Sequence, residues 1–272
     1  MVLGAVLLGG GAAAADVPGP AGGLLPSGTA AAGRAPYPLP PPGRVLPPRP
    51  PEGDVPDPER EVGAPVGQLP RSAVGSAASC TAKAGAYQRQ VERLLGLKVD
   101  GRQSAADCRA IRAFQVREKI KPAVGHAGPV TWARAELLAA RRDPNAARRC
   151  PVRSHPVACV DLDRELMWVQ KGKKVVYGVV NIRSGRAGQR TRTGWHTVYW
   201  RHEDHWSSLY DTPMPYAQFF SGGQAFHAVR GQLATITGSR GCVNLGHRDA
   251  RRLWGVLRKG DRVYIWGKRP GS

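Results

Sequence analysis

Two segments hold residue types that can carry out acyl transfer: GGQAFHAV around His227 and GSRGCVNLGHRDA around Cys242. The thiolate, not the thiol, is the nucleophile, so a reactive cysteine needs a base to take its proton. An imidazole reached from a neighbouring strand meets that need. Gly241 directly before Cys242 allows a tight turn, in which the N–H groups of Gly241 and Cys242 would face a developing oxyanion. A helix expected to start near Gly246 to Arg248 would place its N-terminus nearby and favour the thiolate. Each residue alone has a blander reading. An isolated cysteine is usually a buried structural side chain, a lone histidine a satisfied core residue, and Ser239 a cap on its own turn. The ordered set His227, Ser239, Gly241, Cys242 is what points to Cys–His chemistry.

The cysteine count agrees. Five are present: Cys80, Cys108, Cys150, Cys159 and Cys242. In an exported protein four can form two bridges and leave one free thiol. Sequence allows several pairings. The local ones, Cys80 with Cys108 and Cys150 with Cys159, keep each bridge inside one module and leave Cys242 unpaired. No Cys-x-x-Cys or paired Cys/His spacing supports zinc. His202 and His205 in RHEDHW, read here as a loop, lack a helical ligand spacing, so neither a metal nor a cofactor is expected.

The elements that must position these residues follow from periodicity. Residues 80–143 read as helical. Tyr87, Val91, Leu94 and Leu95 share one face, and Ile111, Phe114 and Gln115 lie on a second helix capped by Ser104 or Asp107. A third helix starts at Pro129. Residues 160–200 change to β-branched and aromatic runs: VDLDRELMWVQ, KKVVYGVVNI and TGWHTVYW. Short strands come next at 225–229 and 261–267. Between them HRDARRLWGVLRKG reads as a helix with Leu253, Trp254 and Leu257 inward and Gly260 at its end. Asp161 and Asp163 read as solvated carboxylates at a strand edge, and Trp195, Tyr199 and Trp200 as core. The expected class is α+β, a three-helix module followed by a β-rich domain of mixed-sheet, sandwich-like build.

Composition sets the outer limits. Of the 24 prolines, sixteen lie between Val17 and Arg71. Residues 16–76 therefore read as a disordered, partly polyproline spacer. Residues 1–15, MVLGAVLLGGGAAAA, resemble the hydrophobic and cleavage regions of a secretory signal without its basic leader, since no Lys or Arg precedes Arg34. The stretch is too short and Gly-rich for a membrane span. The net charge of +20 admits nucleic acid, an anionic membrane or a wall polymer as partner. With no run of five basic residues and no nucleic-acid motif, a nucleic-acid partner is not expected.

GSRGCVN resembles the Ser-x-Gly-Cys signature of the L,D-transpeptidase catalytic family, the YkuD-type domain, and His227 matches that family's upstream histidine. MPYAQFFSGGQAFH is similar to its lid segment and DARRLWGVLRKGDRVYIWG to its closing helix and strand. The resemblance implies a catalytic domain over 150–268 with Cys242 as nucleophile and His227 as base. Ser239, Arg240, Gly241 and Asn244 would shape the pocket, and Tyr199, Tyr210, Met214 and Tyr216 would roof it. Backbone groups near Ala228 or Arg240 would orient the imidazole. Arg240 stands where the commonest family pattern has His. Residues 87–132, with VDG, AIRAFQ and GPVTW, resemble the peptidoglycan-binding domain family, giving a wall-binding module over 80–143.

Together the two resemblances imply an exported, cell-wall enzyme, membrane-proximal through its N-terminal segment and monomeric. Its donor would be a tetrapeptide stem and its acceptor a diamino acid side chain, diaminopimelate by analogy. Release of terminal D-Ala would give 3-3 cross-links, and carbapenems would acylate Cys242. An L,D-carboxypeptidase would use the same residues with water as acceptor, and a non-catalytic wall-binding protein would leave Cys242 unlabelled.

Overall fold

The computed structural model describes residues 80–271. The expected signal-like segment and Pro-rich linker lie outside the described residues. Three helices come first: α1 (Gln88–Leu95), α2 (Ala105–Arg117) and α3 (Pro129–Ala140). Ser104 and Asp107 cap α2 reciprocally, the Ser104 hydroxyl receiving the Asp107 N–H and the Asp107 carboxylate receiving the Ser104 N–H. Pro129 opens α3. Tyr87, Val91, Ile111, Ala127 and Trp132 form the module's core, with Tyr87 stacked on Trp132 at 4.5 Å. Leu94 and Leu95 flank that core. Gln115 is buried among the turns, donating to His126 O and accepting from Gly125 N–H. A disulfide joins Cys80 to Cys108 and another joins Cys150 to Cys159, leaving Cys242 free. Asn181 Nδ2 donates to Ala133 O of α3, tying the module to the β-rich chain, and Arg164 donates to Pro144 O just after the module.

The remaining chain builds two sheets, so the α+β expectation holds. One is β3 (Lys174–Asn181), β2 (Leu166–Lys171), β1 (Pro156–Asp161), β9 (Arg262–Trp266) and β4 (Gly194–Thr197), in that order. The other is β5 (Trp200–Ser207), β6 (Thr212–Ser221), β7 (Gln224–Ala228) and β8 (Val243–Leu245). Each is mixed: β1 runs parallel to β9 and β7 parallel to β8. One core of buried side chains joins both sheets, including Val160, Met167, Phe220, Phe226 and Ile265, and α4 (His247–Val256) closes it with Ala250 and Leu253.

Several local expectations change. TGWHTVYW is not one strand. Val198 N–H bonds to Asp261 O while Tyr199 N–H bonds to Phe219 O, so the chain crosses from the first sheet to the second between them. RHEDHW is not a loop but the body of β5, paired antiparallel with β6. MPYAQFFSGGQAFH forms β6 and β7 and the turn joining them. α4 stops at Val256, because Arg258 N–H turns to the Asp261 carboxylate; Gly260 belongs to that turn and Leu257 is already extended. Asp161 is buried, not solvated, since it receives the Arg164 N–H and pairs with its guanidinium at 2.7 Å. Trp195 and Tyr199 are exposed, not core. Trp195 sits on β4, at the edge of its sheet, and leans on Tyr264 at 4.9 Å.

Candidate active site

Strands β7 and β8 place the two chemical segments side by side. Their register sets His227 opposite Asn244. Side chains two residues apart share a face of a strand. Cys242, just before β8, therefore lies on the face of Asn244, with Ala225 and His227 across from it. Cys242 is half-buried and packs against a small cluster of Met214, Ala217, Phe219 and Ala225. Its S–H donates to Gly223 O at 3.9 Å. Burial pushes the thiol above its ordinary pKa, and the Ala225 backbone N–H pulls the other way.

The turn before Cys242 is held from within. Ser239 Oγ accepts the Gly241 N–H at 3.0 Å and donates to Cys242 O at 2.5 Å. Ser239 thus caps the turn, and the Gly241 N–H is directed at it rather than at an oxyanion. Gly241 has φ +112°, and a Cβ there would stand 2.5 Å from Gln224 Nε2. Gln224 cannot yield easily, because its amide donates to Arg190 O and accepts from Arg192 N–H. Thr191 Oγ1 donates to Gly241 O and receives Gly185 N–H. The expected help from a helix N-terminus is absent. α4 begins at His247, beyond β8, roughly 16 Å of extended chain from Cys242, and a helix dipole fades within one turn.

His227 is buried and both ring nitrogens are engaged. Nδ1 lies 2.9 Å from Ala228 O, and Nε2 lies 2.8 Å from Asn244 Nδ2. A carbonyl only accepts and an amide NH₂ only donates, so Nδ1 carries the proton and Nε2 the lone pair. Asn244 Oδ1 in turn receives Arg183 Nε–H at 3.1 Å. Burial lowers the His227 pKa to about 4; the Ala228 carbonyl opposes this, while Arg183 and His205 reinforce it. Near neutral pH the shared face of β7 and β8 holds a neutral imidazole and a thiol pushed toward its protonated form, not an ion pair.

The L,D-transpeptidase catalytic domain (YkuD) profile matches residues 155–265, the stretch that builds this site. An L,D-transpeptidase (Yku) from Stackebrandtia nassauensis is 34% identical, covers 71% of this chain and 96% of its own, and superposes with a TM-score of 0.50. The chain belongs to the L,D-transpeptidase family. An L,D-transpeptidase from Xylanimonas cellulosilytica is 25% identical over 66% of this chain and 91% of its own, with a TM-score of 0.40. No curated protein matches the chain.

The residues expected to roof the pocket divide. The turn of the β5–β6 hairpin sets Tyr210 beneath the Arg240 guanidinium, 4.5 Å from its ring centre. Met214 belongs to the cluster around Cys242. Tyr199 lies at the rim, its hydroxyl receiving the Gly223 N–H at 3.3 Å, so it steadies the carbonyl that holds the thiol. Tyr216 does not join them. Its φ of +58° breaks the strand alternation, and its ring packs on His247 and Trp254 of α4.

Sequence reasoning missed Thr191 and Gln224, which brace the Cys242 turn, and Arg183, which holds Asn244. It also missed the Trp200–Phe219 stack at 4.6 Å, with His205 set edge-on to both rings. Arg183 is one of 40 basic residues, and no local pattern distinguishes it.

Proposed function

We propose that this protein forms 3-3 cross-links between peptidoglycan stems through a thioester on Cys242. The observation that carries the reading is a disulfide-free thiol on the same strand face as an imidazole whose Nδ1–H is tied to Ala228 O, leaving Nε2 as the basic nitrogen. Because both groups are neutral at rest, the proton leaves the thiol as the sulfur attacks. For this, Nε2 exchanges its Asn244 hydrogen bond for one from the thiol. The sulfur bonds to the carbonyl carbon of the third stem residue, the C–N bond to terminal D-Ala breaks, and His227 returns the proton to the departing amine. The side-chain amine of another stem then attacks the thioester, gives up a proton to His227, and releases the thiol. Tyr210, Met214 and Arg240 form the roof that limits water.

Helices α1–α3 fit a peptidoglycan-binding module over 80–143 that presents the wall to the catalytic domain over 150–268. The two disulfides support an extracytoplasmic location. Among the described residues, no helix is long and apolar enough to cross a membrane. The test is intact-protein mass spectrometry after exposure to a carbapenem, comparing wild type with Cys242→Ala. An adduct on wild type alone is the expected result, and equal labelling of both sinks the nucleophile. Incubation with a disaccharide-tetrapeptide then separates the chemistry: dimers mean transfer, tripeptide alone means hydrolysis.

A further inference from the structure

We propose that Arg183 is a positioning residue for the reaction: acting through Asn244, it fixes which nitrogen of His227 is free to accept the thiol proton. This rests on His227 being the base. Donors and acceptors decide the matter. Arg183 comes just after β3, and its backbone pairs with Asn244 in both directions, Arg183 N–H to Asn244 O and Asn244 N–H to Arg183 O, each at 3.0 Å. Its side chain returns to the same residue, Nε–H donating to Asn244 Oδ1 at 3.1 Å, while Nη1 donates to Gln232 O.

A guanidinium has donors and no acceptor. The Asn244 amide must therefore turn its oxygen toward Arg183 and its NH₂ toward His227. That NH₂ can meet only an unprotonated nitrogen, so Nε2 holds the lone pair and Nδ1 holds the proton, which Ala228 O accepts. Polarity thus runs in one direction along Arg183, Asn244, His227 and Ala228. Without the cationic donor the amide is free to rotate by half a turn. Its oxygen would then favour Nε2–H, the tautomer that cannot take a proton from Cys242 at that nitrogen, against the Ala228 carbonyl, which still calls for Nδ1–H, so the two tautomers would mix. The orientation of Asn244 comes from Arg183, because the backbone pairing would hold Asn244 in place whatever side chain stood at 183.

The ring also feels charge from two sides, Arg183 from the segment after β3 and His205 from β5, with the Cys242 thiol across the strand pair. Removing the Arg183 cation lets the imidazole protonate more readily, so a loss of tautomer control and a rise in its pKa should occur together.

The experiment uses the full chain labelled with ¹⁵N-histidine, with His227→Gln to assign its signals. Long-range ¹H–¹⁵N spectra would report the tautomer in wild type, Arg183→Met and Arg183→Lys. A carbapenem supplies the acylation rate. Iodoacetamide at high pH reports thiolate reactivity that needs no base. Wild type should show a single Nδ1–H tautomer. Arg183→Met should show a mixture and acylate slower by about tenfold or more, the loss expected for one charged hydrogen bond, with alkylation at high pH unchanged. Arg183→Lys, also a cationic donor without an acceptor, should restore the tautomer and most of the rate. The proposal is overturned if Arg183→Met keeps the Nδ1–H tautomer, or if it acylates within about twofold of wild type. Absence of acylation in wild type would count against the Cys242 nucleophile instead, while the spectra would still decide the role of Arg183.

Discussion

A neutral resting pair at Cys242 and His227 makes a quantitative prediction about pH. Burial holds the thiol above its ordinary pKa of 9.0, so at pH 7 at most about one molecule in a hundred carries thiolate. The imidazole titrates at about 4. Alkylation by iodoacetamide, which consumes thiolate, should rise about tenfold per pH unit, or about a thousandfold between pH 6 and 9. Carbapenem acylation should behave differently, because His227 can take the proton as the sulfur attacks. It should stay level from about pH 5.5 upward and fall as His227 charges near pH 4. Both rates are measurable by intact mass on quenched samples, since the other four cysteines are locked in disulfides. A pre-formed ion pair would give the opposite alkylation profile, with thiolate present by about pH 5 and a flat rate above it. A flat alkylation rate between pH 6 and 8 would refute the neutral pair, and with it the physical account of why Asn244 occupies Nε2 at rest.

The same packing predicts three further outcomes. Gly241→Ala should abolish acylation and cost about 1–3 kcal/mol by denaturant melting, since φ +112° and a Cβ 2.5 Å from the clamped Gln224 amide leave it no room; Gly255→Ala, with open space around its Cβ, should be neutral or stabilising by up to about 1 kcal/mol. His227 has a folded pKa depressed below 6.5, so the unfolded chain binds its proton first and stability is lost as pH falls from 6.5 toward 4. Melts of wild type should drop by about 3 kcal/mol more than those of His227→Gln over that window, and parallel curves would contradict the assignment. Glu165→Ala should destabilise by about 3–5 kcal/mol, because it removes one partner of the buried Glu165–Arg269 ion pair and with it the carboxylate that holds Ser184, the neighbour of Arg183.

The sequence was most informative where chemistry and local spacing coincide. Cys242, Gly241 and Ser239 lie within four residues, and the turn they make is set by a glycine conformation and a hydroxyl two residues away. The three helices were legible because Tyr87, Val91, Leu94 and Leu95 repeat at helical spacing, as do Ile111, Phe114 and Gln115, because Pro129 opens the third, and because Ser104 with Asp107 forms a cap readable from four letters. Strand boundaries were less legible. TGWHTVYW runs on as one aromatic stretch, yet the chain changes sheets between Val198 and Tyr199, a choice made by the distant partners Asp261 and Phe219. Tyr216 misled for a similar reason, since its positive φ reverses the face that alternation would assign.

What escaped the sequence most completely is the polarity of the site. A thiol and an imidazole can be named from their types, but the protonation of each depends on groups that only the fold gathers. Asn244 faces His227 because β7 and β8 run parallel in that register. Its amide points as it does because Arg183, 61 residues earlier in the chain, offers only donors. The helix N-terminus that adjacency in sequence promised to Cys242 lies beyond the far end of β8, and burial pushes the thiol pKa up. The same strand separation that denies Cys242 this field leaves the imidazole lone pair as the means of activation, which is why the orientation of one buried amide bears on the rate.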